Sequence, residues 1–355
     1  MNAMATPSSL TLDPLLLQAL REALSPLHTP DTWRAADASG QAPEVLALWQ
    51  AQGFEGLIRP ESHNGAGLAL NQLFDVWALL GEWACPLPLG LGLVAQALHQ
   101  AHPNGPTPPV LTTVAPQLHI DASGTWHALA VPWGRSAQAV LFEHDQQLMW
   151  LPTAGGHQQA SGRSDRLHAD WQWPQGAAQA QVLGPAVGLS ALGAVVLAAH
   201  MAGALSAVLH RTVNYANERQ QFGRPIGKFQ AIQHHIAVMA EHTHAVHLAT
   251  QTAVAHLSVP AASGAPVVSP SLAALAKARA SEAVPLVCNL AHAVHGAMGI
   301  TAEYPLHHHT RRLHAWRLDF GAESHWQRVL GEAWLASGES SLDFLLNHLS
   351  LETPS

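Results

Sequence analysis

Charged residues and cysteines are both scarce in this chain of 355 residues. Only 11% of the residues are charged, against 48% that are hydrophobic, so we expect most helices to be buried rather than solvated. The formal net charge of −8 argues against nucleic acid as a main partner, because no basic stripe can displace counterions from phosphates. The two cysteines, Cys85 and Cys288, lie far apart. This spacing indicates neither a disulfide framework nor a zinc site, and a reducing cytoplasm is the expected location.

One hydrophobic run is long enough to resemble a membrane span. Residues 188–210 are apolar and free of formal charge over roughly the 20 residues that a bilayer requires. The run continues without a break into the polar, helical segment RTVNYANERQ. We therefore interpret it as a helix buried in a bundle and expect no membrane span. No basic segment precedes an apolar run near the N-terminus, so no signal peptide is expected.

Hydrophobic spacing divides the chain into three regions. Residues 1–105 have apolar side chains at helical spacing, which predicts an N-terminal helical domain. Residues 110–185 consist of short alternating pieces separated by Gly, Asp and Ser, which predicts a small β domain. The helical pattern returns over residues 186–355, with helices expected at 271–299 and 320–348. The predicted fold is mainly α, with a reduced β domain in the middle.

The most specific pattern is ERQQFGRPIGKFQ, residues 218–230. Gly223 and Pro225 end one helix and a second helix starts just after them, so Arg219 is expected at the tip of a helical hairpin. The planar guanidinium group of arginine suits a phosphate or pyrophosphate. On physical grounds alone, however, a Glu–Arg pair before a turn is more often a surface ion pair. The residues by themselves leave both interpretations open.

This pattern resembles the ERxxFGxPIxxFQxIQ signature of the acyl-CoA dehydrogenases. In that family the arginine and the aromatic residue reach the pyrophosphate of an FAD that is bound mainly by the neighbouring subunit. The resemblance implies FAD as the cofactor, an acyl-CoA thioester as the substrate and a C-terminal four-helix bundle. Carried over residue by residue, it assigns cofactor contact to Arg219, Gln221, Phe222 and Gln230.

Two further segments agree with the family in order and spacing. Residues 53–68 resemble its N-terminal pattern of a short apolar run, Pro-Glu and a glycine-rich turn. Residues 292–312 resemble the C-terminal segment whose His-Gly-Gly-x-Gly-like turn approaches the flavin of the partner subunit. His295 and Gly296 match this turn, and the resemblance makes them cofactor contacts as well. Ala293 stands where the family has a glutamine, so the turn is retained with one polar contact fewer.

The departures from the family concern the flavin ring and the catalytic base. Residues 110–185 contain neither the Thr-Glu-Pro…Gly-Ser-Asp segment nor the Trp-Ile-Thr segment that holds the isoalloxazine ring in the family. The family's chemistry removes an α-proton from the thioester while a hydride leaves the β-carbon, so it needs a positioned carboxylate. Counted without gaps from the Gly296 turn, the usual base position is Phe320. The alternative base of the family lies on the long helix before the ERxxFG motif, and residues 171–217 contain no Asp or Glu.

Three functions follow from these departures. The first is the non-catalytic, half-site subunit of a heteromer, similar to bacterial heterotetramers that oxidise bulky acyl-CoA esters, including those of steroid side chains. A catalytic acyl-CoA dehydrogenase subunit then supplies the base and the flavin-ring pocket, in a dimer of heterodimers. The second is a homo-oligomeric enzyme whose base is displaced to Glu323 or Asp319, and the third is a redox-inactive, acyl-CoA-binding or structural paralogue. No metal site is expected, because the 25 histidines have no HExxH or paired-cysteine context.

Overall fold

The structure, a computed structural model, describes residues 12–103, 107–260 and 264–349. The expected domain boundary at residue 105 and the chain ends at 1 and 355 lie outside these ranges. Within them the elements follow the predicted order of helices, strands and helices again, and the predicted mainly α fold is confirmed.

The N-terminal region is built from short helices, three of which begin at a proline. Pro14, Pro30 and Pro43 occupy first helical positions, where the missing N–H leaves no hydrogen bond unmade. The side-chain oxygens of Asp13 and Thr29 cap the first two helices by accepting from backbone N–H groups. The helices are α1 (Pro14–Leu24), α2 (Pro30–Ser39), α3 (Pro43–Ala51), α4 (Phe74–Glu82) and α5 (Leu89–Ala101).

The middle region consists of two four-stranded sheets. Its elements are β1 (Thr112–Val114), β2 (His119–Ile120), β3 (Trp126–Val131), β4 (Ala139–His144), β5 (Gln147–Pro152), β6 (His157–Ala160), β7 (Ala169–Trp173), the short helix α6 (Gly176–Gln179) and β8 (Gln181–Pro185). One sheet has the order β1-β4-β5-β8, with β1 and β4 parallel, and the other has the antiparallel order β2-β3-β7-β6. Trp126, Phe142, Trp171 and Trp173 are the large side chains of a small core that is separate from the helical core.

The C-terminal region surrounds one long, buried helix. Its elements are α7 (Leu189–Glu218), β9 (Gln220–Gln221), β10 (Arg224–Pro225), α8 (Gln230–Ala255), α9 (Pro270–His295), α10 (Leu306–Leu318), α11 (Glu323–Ser337) and α12 (Ser341–His348). Helices α7, α8, α9 and α11 form the four-helix bundle, and α7 also packs against α4 and α10. The backbones of α4 and α7 approach closely at Gly81, where a Cβ atom would lie 1.8 Å from the carbonyl oxygen of His200.

The helix limits differ from the prediction in three places. Helix α9 ends at His295 rather than at residue 299, because Gly296 has a positive φ of 57° and starts a short 3-10 turn. The single helix expected over 320–348 is wrong, since Gly338 adopts a left-handed conformation that ends α11 before α12 begins. Helix α10 was not predicted from the sequence.

Among residues 12–103, 107–260 and 264–349, two segments are long and apolar enough to cross a membrane by length and composition alone, Leu189–Glu218 and Pro270–Ile300. In the first of them, 89% of the apolar window is buried inside the fold. Neighbouring helices already cover that surface, so the hydrophobic run at 188–210 is a helix buried in a bundle.

Candidate functional site

The ERQQFG motif forms a β-hairpin that projects from the end of helix α7. Arg219 follows the last residue of the helix, and its carbonyl oxygen accepts from the N–H of Ile226 at 2.8 Å, which closes the hairpin. Phe222 and Gly223 form the turn with φ values of 54° and 79°, the left-handed pair that a two-residue hairpin loop favours. The expected helical hairpin therefore carries a short β-hairpin at its tip.

The side chains assigned to cofactor contact from the sequence lie on the outside of this hairpin. The exposed ones are Arg219, Gln221, Phe222 and Gln230. Phe222 is 91% exposed, which is unusual for an aromatic side chain. Across the described ranges, no carboxylate forms an ion pair with Arg219, and its neighbour Glu218 is also unpaired. The guanidinium group is thus free to receive an external anion.

Tyr215 joins this hairpin to the predicted glycine turn. It lies one helical turn before Arg219, its ring stacks on that of His295 with centroids 4.4 Å apart, and its hydroxyl donates to the carbonyl oxygen of His295 at 3.4 Å. Gly296 follows with φ 57° and ψ −138°, a conformation that only glycine adopts readily. A Cβ atom there would meet nothing within 4 Å, so the backbone conformation alone explains the glycine. The structure therefore brings the two predicted segments together at one end of the bundle.

The imidazole of His295 faces the interior rather than the surface. Its Nδ1–H donates to the carbonyl oxygen of Ala291 at 2.8 Å, and its Nε2 accepts from the hydroxyl of Tyr304 at 3.0 Å. Burial lowers the pKa of this group, so it is neutral near pH 7. Around this turn the outer surface consists of Gly296 and the exposed side chains of Met298 and Ile300.

The residue predicted from the sequence to stand at the base position is a buried aromatic ring. Phe320 is 3% exposed, and a Cβ atom added at Gly193 of α7 would lie 2.6 Å from its Cε1. Its φ of 53° is strained for an aromatic residue and costs about 1 kcal/mol. The indole N–H of Trp326 donates to its carbonyl oxygen at 2.8 Å and holds it there. The ring thus packs directly on the helix before the ERxxFG motif, at a residue without a side chain.

Asp319, one of the two alternative bases, takes part in a buried charge network. His168 donates from Nε2 to Asp319 and from Nδ1 to Asp165, both at 2.8 Å. Burial alone would lower the pKa of His168, but the two carboxylates outweigh it and raise the pKa to about 10. Burial would likewise raise the pKa of Asp165, but the charge of His168 holds it below its usual range. The network joins the β domain to the bundle and engages Oδ2 of Asp319, while Arg163 lies 4.0 Å from Oδ1 of this buried carboxylate.

Glu323, the other alternative base, is held by an arginine. It is the first residue of α11, and its carboxylate accepts from Nε of Arg317 at 2.9 Å and from a second guanidinium nitrogen. The hydrogen bond from Arg317 is the main cause of a lowered pKa for Glu323. A carboxylate whose ionised form is stabilised in this way is a weaker proton acceptor.

A buried lysine lies under the same segment. Nζ of Lys277 donates to Oγ of Ser281 at 2.9 Å and to the carbonyl oxygens of Arg317 and Gly321 at 2.9 and 2.8 Å. Burial is the main cause that lowers the pKa of Lys277 to about 7. The hydrogen bonds from Lys277 therefore fix the backbone on both sides of Phe320.

The contact between the β domain and the helical core is filled by aromatic side chains. Trp133 follows strand β3 and is fully buried among the helices, with its ring centroid 5.6 Å from that of His200 and 5.7 Å from that of Trp316. Its indole N–H donates to the carbonyl oxygen of Cys85 at 3.0 Å. Burial lowers the pKa of His200 to about 4, so this cluster is uncharged.

Three residues that shape this region were not identified from the sequence: Trp133, His168 and Lys277. The one available signal was that Lys277 is one of only two lysines and lies in an apolar helix. Within the described part of the chain, no three His, Cys, Asp or Glu side chains come together as metal ligands would.

Two comparisons of the sequence gave matches. Residues 189–333 match the family model described as "Acyl-CoA dehydrogenase, C-terminal domain". The chain is 32% identical over 305 residues to the acyl-CoA dehydrogenase IpdE2 of Mycobacterium tuberculosis (strain ATCC 25618 / H37Rv), an alignment that covers 84% of this chain and 90% of that protein. The short/branched chain specific acyl-CoA dehydrogenase of Bos taurus mitochondria is 33% identical over 126 residues, 36% of this chain and 28% of that protein.

Three solved structures share the fold over most of the chain. The ChsE4–ChsE5 complex from Mycobacterium tuberculosis has a TM-score of 0.78 at 21% identity and covers 94% of this chain and 100% of the matched one. A variant of the Tcur3481–Tcur3483 steroid ACAD has a TM-score of 0.78 at 25% identity, over 92% and 98% of the two chains. Butyryl-CoA dehydrogenase from Megasphaera elsdenii has a TM-score of 0.70 at 17% identity, over 94% and 100%.

Proposed function

Because the chain belongs to the acyl-CoA dehydrogenase family, we propose that it is the half-site subunit of a heteromeric enzyme that carries out α,β-dehydrogenation of an acyl-CoA thioester with FAD. On this proposal a catalytic partner subunit supplies the base and the flavin-ring pocket, and this chain contacts the cofactor across the interface. The observation that carries the proposal is the buried ring of Phe320 against Gly193, where a carboxylate would be needed.

The outer end of the bundle fits the phosphate-bearing part of an FAD. Arg219 presents an unpaired guanidinium group whose planar fork can bind a pyrophosphate through two hydrogen bonds. Phe222 offers an exposed ring in the same hairpin, and Tyr215 connects the hairpin to the exposed Gly296 turn. Gln221 and Gln230 add exposed amides that can donate and accept. These residues would hold the cofactor at its nucleotide end.

The interior of the chain does not fit the isoalloxazine ring. Trp133 and its aromatic neighbours fill the junction between the β domain and the helices, and Phe320 fills the space beside Gly193. A ring system could enter only by displacing side chains that are packed at interior density. This supports a flavin whose ring lies in the partner subunit.

The division of chemical roles follows from these two fits. When bound, FAD supplies the acceptor for the hydride that leaves the β-carbon of the substrate. Arg219 neutralises negative charge on the phosphates and, with the exposed Phe222, orients the nucleotide. Neither Asp319 nor Glu323 is free to remove the α-proton, since His168 and Arg317 hold them.

The names of the similar proteins support a heteromer and a bulky substrate. One matched structure is a complex of two different chains, ChsE4 and ChsE5, and another is described as a steroid ACAD. We extend both features to this chain and propose a dimer of heterodimers that acts in the cytoplasm on acyl-CoA esters of steroid degradation. The homo-oligomeric alternative, with Glu323 or Asp319 as a displaced base, is disfavoured by the contacts that hold both acids.

Replacement of Arg219 tests the proposal. Loss of a charge-assisted contact to a phosphate should cost about 1.5–3 kcal/mol, so Arg219→Ala in the complex should release FAD roughly ten- to a hundredfold more readily. Arg59→Ala, a half-exposed arginine of the N-terminal region with one weak ion pair, is the matched control and should retain FAD. Equal retention by both variants would count against the proposal.

A second assay separates the three functions. On the half-site proposal the chain alone shows no dehydrogenation of acyl-CoA with a dye acceptor. Activity of the chain alone that Glu323→Gln abolishes would establish the displaced-base enzyme instead. Absence of flavin from every complex would favour the redox-inactive paralogue.

A further inference from the structure

A cleft of about 320 Å³ lies between helix α2, the loop at residues 163–166 and helix α10, and Ile300 and Ala302 at the end of the Gly296 turn complete its lining. The basic side chains that line it come from all three segments: Arg34, Arg166, Arg311, His307 and His308. Asp37 is the one acidic residue among the lining side chains. Burial lowers the pKa of both histidines, to about 4 for His307, so the cationic groups near pH 7 are the three arginines. Three arginines around one carboxylate stand out in a chain whose net charge is −8.

The acidic residue of the cleft is already shared among its neighbours. Asp37 forms ion pairs with Arg311 and with the buried Arg312. Its Oδ2 also lies 3.3 Å from Nδ1 of His308. Burial would raise the pKa of Asp37, but the hydrogen bond from His308 and the two arginines lower it, so it stays ionised. One carboxylate therefore balances two guanidinium groups, and the cleft keeps an excess of positive charge.

The other two arginines are available to a ligand. Arg34 pairs with Asp31, whose side chain is largely exposed, and such surface pairs are worth at most about 1 kcal/mol. Arg166 has no ion pair with any residue in the described ranges. Its φ is 62°, and its carbonyl oxygen accepts from Nη1 of Arg135 at 2.8 Å. The hydrogen bond from Arg135 thus stabilises Arg166 in this strained left-handed backbone conformation.

Two buried imidazole nitrogens at the cleft have no hydrogen-bond partner in the described structure. They are Nδ1 of His307 and Nε2 of His308, and the rings of these residues lie 4.1 Å apart. His308 is 1% exposed, so its ring nitrogen is removed from bulk water. A buried polar atom without a partner is unfavourable. Neither nitrogen is exposed to the cleft, so recognition of a ligand there falls to the arginines.

We propose that this cleft binds a phosphate group, either as free phosphate or as the phosphate monoester of a nucleotide. Converging guanidinium groups on separate segments match the oxygens of a phosphate, and arginine forks bind them in pairs. The lining of the cleft includes no residue of the ERQQFG hairpin, and the proposal does not depend on the proposed half-site function.

Titration calorimetry of the full chain at low ionic strength tests this site, with inorganic phosphate and adenosine 3′,5′-bisphosphate as probes. We expect saturable binding that Arg166→Gln weakens about tenfold or more, since a charge-assisted contact is lost. Gln and Arg carry the same backbone strain at this position, so the fold should be unaffected. Arg328→Gln, an exposed arginine of α11 paired with Glu332, is the control and should bind both probes as the unaltered chain does.

The outcomes separate the possible ligands. Tighter binding of adenosine 3′,5′-bisphosphate than of phosphate would identify a nucleotide, and equal binding would identify free phosphate; both support the site. Absence of saturable binding, or equal affinities of the Arg166→Gln and Arg328→Gln variants, would overturn it. If neither probe binds and Arg166→Gln weakens assembly with the partner subunit, the cleft receives an acidic protein side chain and the proposal is wrong. Flavin retention is not part of this assay, so its failure leaves the half-site proposal intact.

Discussion

The ring of Phe320 and the backbone of Gly193 are in such close contact that a Cβ atom at Gly193 would lie 2.6 Å from Cε1 of the ring. Phe320 is the residue predicted from the sequence to stand at the base position, and Gly193 lies on the helix that is predicted to carry the alternative base. At this point the two segments meet in an apolar contact between a ring and a glycine.

The first prediction concerns this contact. We expect Gly193→Ala to lower the free energy of unfolding by about 1–2 kcal/mol, because overpacking costs roughly 1–3 kcal/mol and the gain in helix propensity returns up to about 1 kcal/mol. In a Phe320→Leu background the same substitution should become neutral or stabilising, since the obstructing ring is gone. Urea denaturation of the four proteins in this cycle measures the coupling.

Gly331 is the matched control for this cycle. It lies inside helix α11, and a Cβ atom there would meet nothing within 4 Å. Gly331→Ala should therefore raise the free energy of unfolding by about 0.5–1 kcal/mol. Equal effects of Gly193→Ala and Gly331→Ala would show that Phe320 does not occupy the space assigned to it.

Local patterns predicted the order of helices, strands and helices and the location of the hairpin, whereas the missing base stays a prediction. The ERQQFG turn could be located because Gly223 and Pro225 mark it within a few residues. The burial of Trp133 among the helices could not be predicted in this way. Trp133 lies in the loop after strand β3, and the alternating pattern of a strand does not show which other elements its neighbouring loop will contact. The contact between His168 and Asp319 joins residues 151 apart in sequence, and neither residue has a local motif. The same limit applies to α10, whose sequence LHHHTRRLHAWRL has a weak apolar pattern.

The second prediction concerns the pH dependence of the His168 network. Because the folded pKa of His168 is raised to about 10 from 6.5, its stabilising contribution is fully present below about pH 6.5. It is lost progressively as the pH rises to about 10. We expect His168→Gln to lower the free energy of unfolding by about 3–5 kcal/mol near neutral pH, because a buried ion pair loses one partner. At pH 9.5 the decrease should be smaller. If the difference in unfolding free energy between the unaltered chain and His168→Gln stays constant from pH 6.5 to 9.5, the raised pKa of His168 is refuted.

The third prediction has the opposite sign, because burial lowers the folded pKa of Lys277 to about 7 from 10.5. The unfolded chain binds the extra proton between these values, so stability linked to this residue rises with pH in this window. The unfolding free energy of the unaltered chain relative to Lys277→Met should therefore increase from pH 7 to 9.5. Arg279→Met, on the same helix but partly exposed, should show no such slope. A decrease for Lys277→Met would contradict the prediction.

The fourth prediction concerns the glycine turn near the hairpin. Gly296→Ala introduces no clash, so any effect comes from the backbone conformation of φ 57° and ψ −138°. That conformation should cost about 1–3 kcal/mol for alanine, and relief of the strain would shift the turn. We expect a lower unfolding free energy and weaker FAD retention by the complex with the partner subunit. Unchanged values of both would remove Gly296 from the cofactor contacts.

The flavin content of the purified protein tests the half-site role most directly. The chain should be purified alone and, in parallel, co-expressed with its catalytic partner subunit, and the ratio of FAD to protein measured by absorbance after denaturation. The packed interior around Trp133 and Phe320 predicts little FAD in the chain alone and bound FAD in the complex. A stoichiometric flavin in the chain purified alone would contradict the half-site role.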